Sequence, residues 1–136
     1  MKVKLDPGAY MPVRAHEQDA GYDLRTPVRF VIHPGGSAVI DTGVHVQIPD
    51  GFVGFLKSKS GLNVRLDLTG EGVIDAGYTG SICVKLYNHG GQFHIFEPGD
   101  KIIQLVILPI YTPSLEQVGD LEDTDRGSDG FGSTGR

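Results

Sequence analysis

Between Ser37 and Ile48 apolar and polar side chains largely alternate, with Val39, Ile40, Val44, Val46 and Ile48 as the apolar positions. The run is bounded by Pro34-Gly35-Gly36 and Pro49-Asp50-Gly51. Alternation closed by turn residues at both ends reads as a half-buried strand. Three more apolar segments, Phe52 to Leu56, Ser81 to Tyr87 and Lys101 to Ile110, read the same way. Their punctuation is Asn88-His89-Gly90-Gly91 and Pro98-Gly99-Asp100. No long stretch repeats at the helical period, and only Ser60 to Leu66 suggests a helix, with Ser60 as its N-cap. Closely spaced strands without crossover helices predict an all-β fold, a closed barrel or jelly roll with at most one short helix.

After Pro113 the pattern stops. Residues 114–136 are acidic and rich in Gly and Ser, with Leu115, Val118, Leu121 and Phe131 as their large apolar side chains. The expected organisation is therefore a β domain over 1–113 and a mobile C-terminal arm over 114–136. Six of the 17 acids and two of the 12 bases lie in the arm, leaving eleven and ten in the body. The net charge of −5 is thus mostly the arm's. A near-neutral body offers no basic face for long nucleic acid. No apolar run approaches the roughly 20 residues that span a bilayer, and the first residues lack signal-peptide character. Cys83 is alone, so no intrachain disulfide forms, and a cytoplasmic location is expected. A small phosphorylated ligand fits this charge balance, given a few placed cations or a metal ion.

Five segments carry candidate chemistry, each with a plain structural alternative. Ala20-Gly21-Tyr22-Asp23-Leu24 places a carboxylate beside a glycine, which is also ordinary turn chemistry. Lys57-Ser58-Lys59-Ser60-Gly61-Leu62 combines cations, hydroxyls and a helix start, which attract anions, or it is a solvated loop. Gly72-Val73-Ile74-Asp75-Ala76-Gly77-Tyr78-Thr79-Gly80 holds one carboxylate and one aromatic ring in a tight hairpin. That carboxylate either satisfies backbone donors or orients and deprotonates a water. Gly99-Asp100-Lys101-Ile102-Ile103-Gln104-Leu105 puts Gln104 in an apolar strand, either at an edge or as a side chain meant to hydrogen-bond something. Arg126-Gly127-Ser128-Asp129-Gly130-Phe131-Gly132-Ser133-Thr134-Gly135 is a loose tail, or a flap that grips phosphate and stacks on a base.

Taken together, in this order, the five segments resemble the five motifs of the trimeric dUTPase family, from Ala20 to the C-terminus. The departure is Lys59, where the family commonly has Arg; lysine keeps the charge and loses the bidentate geometry. The resemblance implies a distorted jelly-roll β-barrel and a homotrimer whose active sites are shared between subunits. It implies hydrolysis of dUTP to dUMP and pyrophosphate with Mg²⁺, limiting uracil in DNA and supplying dUMP for thymidylate synthesis. Asp75 would position water for attack on the α-phosphorus, with Ser60 and Gln104 as the other catalytic groups. Lys59, Ser60, Gly61 and Gln104 would hold phosphates, and Asp23 would help hold Mg²⁺ through water. Tyr78 would pack on deoxyribose and reject a 2′-hydroxyl. Backbone groups of Gly72, Val73 and Ile74, and of Cys83, would read uracil, the Cys83 thiol being a small core group. Arg126, Phe131, Gly132, Ser133 and Thr134 would close over the nucleotide. The five histidines show no metal-ligand spacing. A dCTP deaminase of the same fold is disfavoured by the Asp75-Ala76-Gly77-Tyr78 hairpin. A non-catalytic nucleotide sensor would be expected to lose Asp75, Tyr78 or the tail motif; a second, protein-binding role alongside catalysis stays open.

Overall fold

The computed structural model describes residues 1–128. Ten strands and one helix follow in order: β1 Lys2–Leu5, β2 Gly21–Arg25, β3 Phe30–Ile32, β4 Ser37–Gln47, β5 Phe52–Lys57, α1 Ser60–Leu66, β6 Leu68–Thr69, β7 Glu71–Ile74, β8 Ser81–Asn88, β9 His94–Phe96 and β10 Lys101–Pro109. Every pairing is antiparallel. One sheet runs β1-β4-β8-β6, a second runs β2-β10-β5-β7, and β3 and β9 form a ribbon. The all-β class and the jelly-roll-type arrangement hold; the ladders divide into three sheets rather than closing one ring among the described residues.

One core joins the sheets. Ile82, Val84 and Leu86 of β8 and Ile40, Val44 and Val46 of β4 bury against Leu24, Leu56, Ile103 and Leu105 of the other sheet. In β8 the pleat sends alternate residues inward, and this corrects one expectation. Cys83 falls between Ile82 and Val84, so its side chain is exposed on the outer face rather than filling the core.

The helix also starts differently from expectation. Lys59 is its N-cap, extended at φ −74° and ψ 131° with no side-chain cap, and Ser60 is the first helical residue. The extended backbone of β5 runs on through Lys59 before the chain coils. The helix ends at Asp67 in the left-handed region, φ 54°, where its N–H bonds back to Asn63. Beyond β10, residues 110–128 contain no helix or strand, and Tyr111, Leu115 and Leu121 stand exposed. Among the described residues no helix is long and apolar enough to cross a membrane.

Candidate active site

Gln104 lies in the middle of β10, opposite Asp23 of β2 on one side and Lys57 of β5 on the other. This inner strand rules out the edge reading. Its amide Nε2 donates to the Ser58 carbonyl at 3.2 Å. Room for the amide comes from Gly21: a Cβ there would approach Gln104 Oε1 to 2.5 Å. Three of the five segments therefore meet on neighbouring strands of one sheet.

Asp23 is the charged centre of that meeting. It is 6% exposed, and both carboxylate oxygens are taken: Oδ1 by the Lys59 ammonium and Oδ2 by Lys101 Nζ at 2.7 Å. Burial pushes the carboxyl toward its protonated form, but hydrogen bonds and charge from Lys101 and Lys59 outweigh it and hold the pKa below the ordinary 3.8. Sequence reasoning misses Lys101, although it stands inside the Gly99 to Leu105 segment. Its signal is a cation opening an apolar strand. Ser58 was also missed: its hydroxyl donates to the Gly70 carbonyl at 3.1 Å and accepts from the Gly70 N–H at 2.9 Å. That pair fixes the turn entering α1, where Ser60 and Gly61 are exposed.

The hairpin between β7 and β8 is separate. Tyr78 N–H donates to the Asp75 carbonyl at 3.0 Å, and the Tyr78 hydroxyl donates to the Ser81 carbonyl at 2.8 Å. The ring folds over Gly80, where a Cβ would lie 2.6 Å from Tyr78 Cζ. Glycine is required there for lack of space. The Asp75 side chain is exposed, as is 44% of Tyr78. Gly72 pairs with Leu56 and Val73 with Phe55, so these backbones belong to the sheet that carries Asp23 and Gln104. Cys83 pairs with Asp41. On its other side β8 meets only β6, at Tyr87 and Asn88, so among the described residues that edge is without a strand partner near Cys83.

Within one chain these parts do not assemble. In the β5–β7 ladder Gly54 faces Ile74 and Lys57 faces Glu71. Those two pairs are three residues apart, roughly 10 Å at strand rise. Asp75 lies beyond one end and Lys59 beyond the other. Arg126 lies in the Thr124–Gly127 turn, and Phe131, Gly132, Ser133 and Thr134 lie outside the described residues. Among the described residues no group of three or more His, Cys, Asp or Glu side chains could hold a metal.

An all-β body with a lysine at a Ser-Gly helix start and an exposed carboxylate in a distant hairpin carries groups that suit hydrolysis of a phosphorylated small molecule. Comparison with known proteins narrows it. The dUTPase family model matches residues 8–135. The deoxyuridine 5′-triphosphate nucleotidohydrolase of Mus musculus is 40% identical, over 98% of this chain and 83% of its own. That of Tropheryma whipplei strain Twist is 43% identical, over 95% and 91%. The Staphylococcus bacteriophage 80alpha dUTPase with dUPNHPP superposes with a TM-score of 0.88 at 38% identity, covering 99% of this chain and 98% of that one. A variant dUTPase of phage phi11 of S. aureus, solved with a structural Mg(II) ion, gives 0.82 at 36% identity, covering 90% and 98%. The chain belongs to the dUTPase family and is a hydrolase acting on dUTP.

Proposed function

We propose that the chain cleaves dUTP to dUMP and pyrophosphate by attack of an Asp75-oriented water on the α-phosphorus, in sites shared between three copies. The observation that carries the shared site is the β5–β7 register, which separates Asp75 from Lys59 within one chain. Asp75 of one copy then serves the Lys59, Ser60, Gly61 and Gln104 of another. An exposed carboxylate with no side-chain partner among the described residues is free to accept a hydrogen bond from water. Its contribution is chiefly orientation of the water. Tyr78 packs on deoxyribose, and backbone groups of Gly72 to Ile74 and of Cys83 pair with uracil. The body of residues 1–113 carries this machinery, and residues 114–136, with Arg126, Phe131, Gly132, Ser133 and Thr134, form the arm that closes the site.

Magnesium fits this donor set in one way only. Among the described residues no carboxylate cluster offers an inner shell, and Asp23 would help hold a triphosphate-bound ion through water. Bound there, it would neutralise charge on the phosphate oxygens. Both Asp23 oxygens carry ammonium groups, so Lys59 leaves Asp23 for phosphate as substrate enters, while Lys101 stays. The proposed setting is the cytoplasm. A protein partner is a second reading, favoured by likeness to 80alpha phage dUTPases that control transfer of virulence genes by a G protein-like mechanism. Pyrophosphate release over dUTP, dCTP, dTTP and UTP tests the assignment: only dUTP should turn over rapidly, and comparable turnover of UTP or dTTP would refute the roles of Tyr78 and the hairpin.

A further inference from the structure

His45 sits where β4 leaves an irregularity. Its register with β8 is regular from Ser37↔Tyr87 to Asp41↔Cys83, then shifts before His45↔Ser81. The intervening residues are pinned. The Asp41 carboxylate accepts from the Gly43 N–H at 3.0 Å and from the Ser81 hydroxyl. The Thr42 hydroxyl donates to the Ile82 carbonyl at 2.8 Å. Gly43 adopts φ +65°, and a Cβ there would meet Ala9 at 2.9 Å and Asp6 at 3.3 Å, so the glycine lets residues 6–9 approach. Bulges re-aim side chains, and this one turns an imidazole toward two separate elements.

The imidazole bridges them. His45 Nδ1 is 2.9 Å from the Thr79 carbonyl in the hairpin, and Nε2 is 3.0 Å from Asp6 Oδ2 just beyond β1. Both partners accept and neither donates, since a carbonyl and an ionised carboxylate carry no proton. A neutral imidazole has one N–H, so it satisfies one partner and turns a lone pair toward the other. Only the imidazolium donates to both. The His45 side chain is 19% exposed and that of Asp6 44%.

We propose that protonated His45 is a positioning residue for dUTP: it ties the Asp75–Gly80 hairpin to the N-terminal strand, and so couples proton binding at His45 to nucleotide binding. This rests on the reading of the hairpin as the sugar and uracil subsite. The Thr79 carbonyl is adjacent to Tyr78, so the bond to His45 helps fix the backbone that carries this ring. The charges facing His45 are Asp6 and Lys4 on the β1 side, with Lys2 lining the same depression, and Asp41 on β4. Hydrogen bonding to Asp6, then to Thr79, raises the His45 pKa above the ordinary 6.5, against burial and Lys4. A raised value means the clamp is fully present below the ordinary histidine range and is lost as pH rises through the folded-state value.

The test is an NMR titration of the histidine rings of the full-length protein, with and without dUpNHpp and Mg²⁺, beside dUTP kinetics over the same pH range. Linkage is reciprocal, so the analogue should raise the His45 midpoint by about half a unit, and KM should rise about threefold as His45 deprotonates. In Asp6→Asn the midpoint should fall and the KM step should move to lower pH. In His45→Gln the step should vanish. Analogue-induced shifts of the Asp75–Gly80 amides with an unmoved His45 midpoint would overturn this proposal alone. An analogue that leaves those amides unmoved would overturn the hairpin reading and the proposal with it.

Discussion

Lys101 Nζ lies 2.7 Å from Asp23 Oδ2, joining the first residue of β10 to the middle of β2. In the proposed mechanism this pair leaves the buried Asp23 carboxylate a partner when Lys59 turns to phosphate. Removing one partner of a buried charge is costly because the other is left uncompensated. Lys101→Met should therefore hold Lys59 on Asp23 and raise KM for dUTP about tenfold, on the order of 1.4 kcal/mol. Lys101→Arg should recover most of the loss. Steady-state kinetics decide it, and an unchanged KM in Lys101→Met would contradict the division of labour between the two lysines.

Asp75→Asn keeps the size and shape of the side chain and removes its charge. Nucleotide affinity should stay close to that of the parent, while kcat should fall by about two orders of magnitude or more, as for a lost general base. Equilibrium binding of dUpNHpp beside turnover of dUTP separates the two effects. Near-normal turnover would remove Asp75 from the chemistry.

Gly80→Ala probes the hairpin by space alone. The added methyl would sit 2.6 Å from Tyr78 Cζ, so the ring has to move. Discrimination between dUTP and UTP should relax along with a higher KM, and the core should be untouched because Gly80 lies outside it. A Gly80→Ala enzyme with parental selectivity would show that the Tyr78 ring does not judge the sugar.

Asp41 supplies an acid-side signature. The Ser81 hydroxyl, then the Gly43 N–H, then the charge of His45 favour its ionised form, and burial opposes them, leaving its pKa below 3.8. A depressed carboxyl stabilises the fold above its unfolded pKa and loses that contribution as pH falls through the folded value. Ser81→Ala removes the largest of these causes, so its acid-unfolding midpoint should move to higher pH. Circular dichroism against pH measures the shift, and coincident curves would deny Asp41 this role.

How legible these features were in the sequence depended on length and on distance along the chain. β4 and β8 are long enough for their alternation to show, and in β8 the inward set Ile82, Val84, Leu86 already implied that Cys83 faces outward. β3, β6 and β9 have three, two and three residues, too few for any period, and exist through their partners. Gln104 was readable as a candidate because a polar side chain in an apolar strand needs a partner, Asp23 as a carboxylate beside a glycine, and Lys59 as a cation at a helix start. That Lys101 is the second partner of Asp23 was not readable, since only the β2–β10 register brings them together. His45 was invisible as a candidate: in the alternating pattern it is an ordinary polar position, and its two acceptors come from distant segments.

Subunit mixing tests the shared site most directly. Asp75→Asn and Gln104→Ala chains, each inactive alone, are unfolded, mixed in equal amounts and refolded together. If the hairpin of one copy serves the phosphate turn of another, random trimers should contain intact sites at about one in four, giving roughly a quarter of parental activity per site. Activity no greater than that of the two inactive parents would contradict the account, because each chain would then supply its own Asp75 and its own Gln104 to a single site.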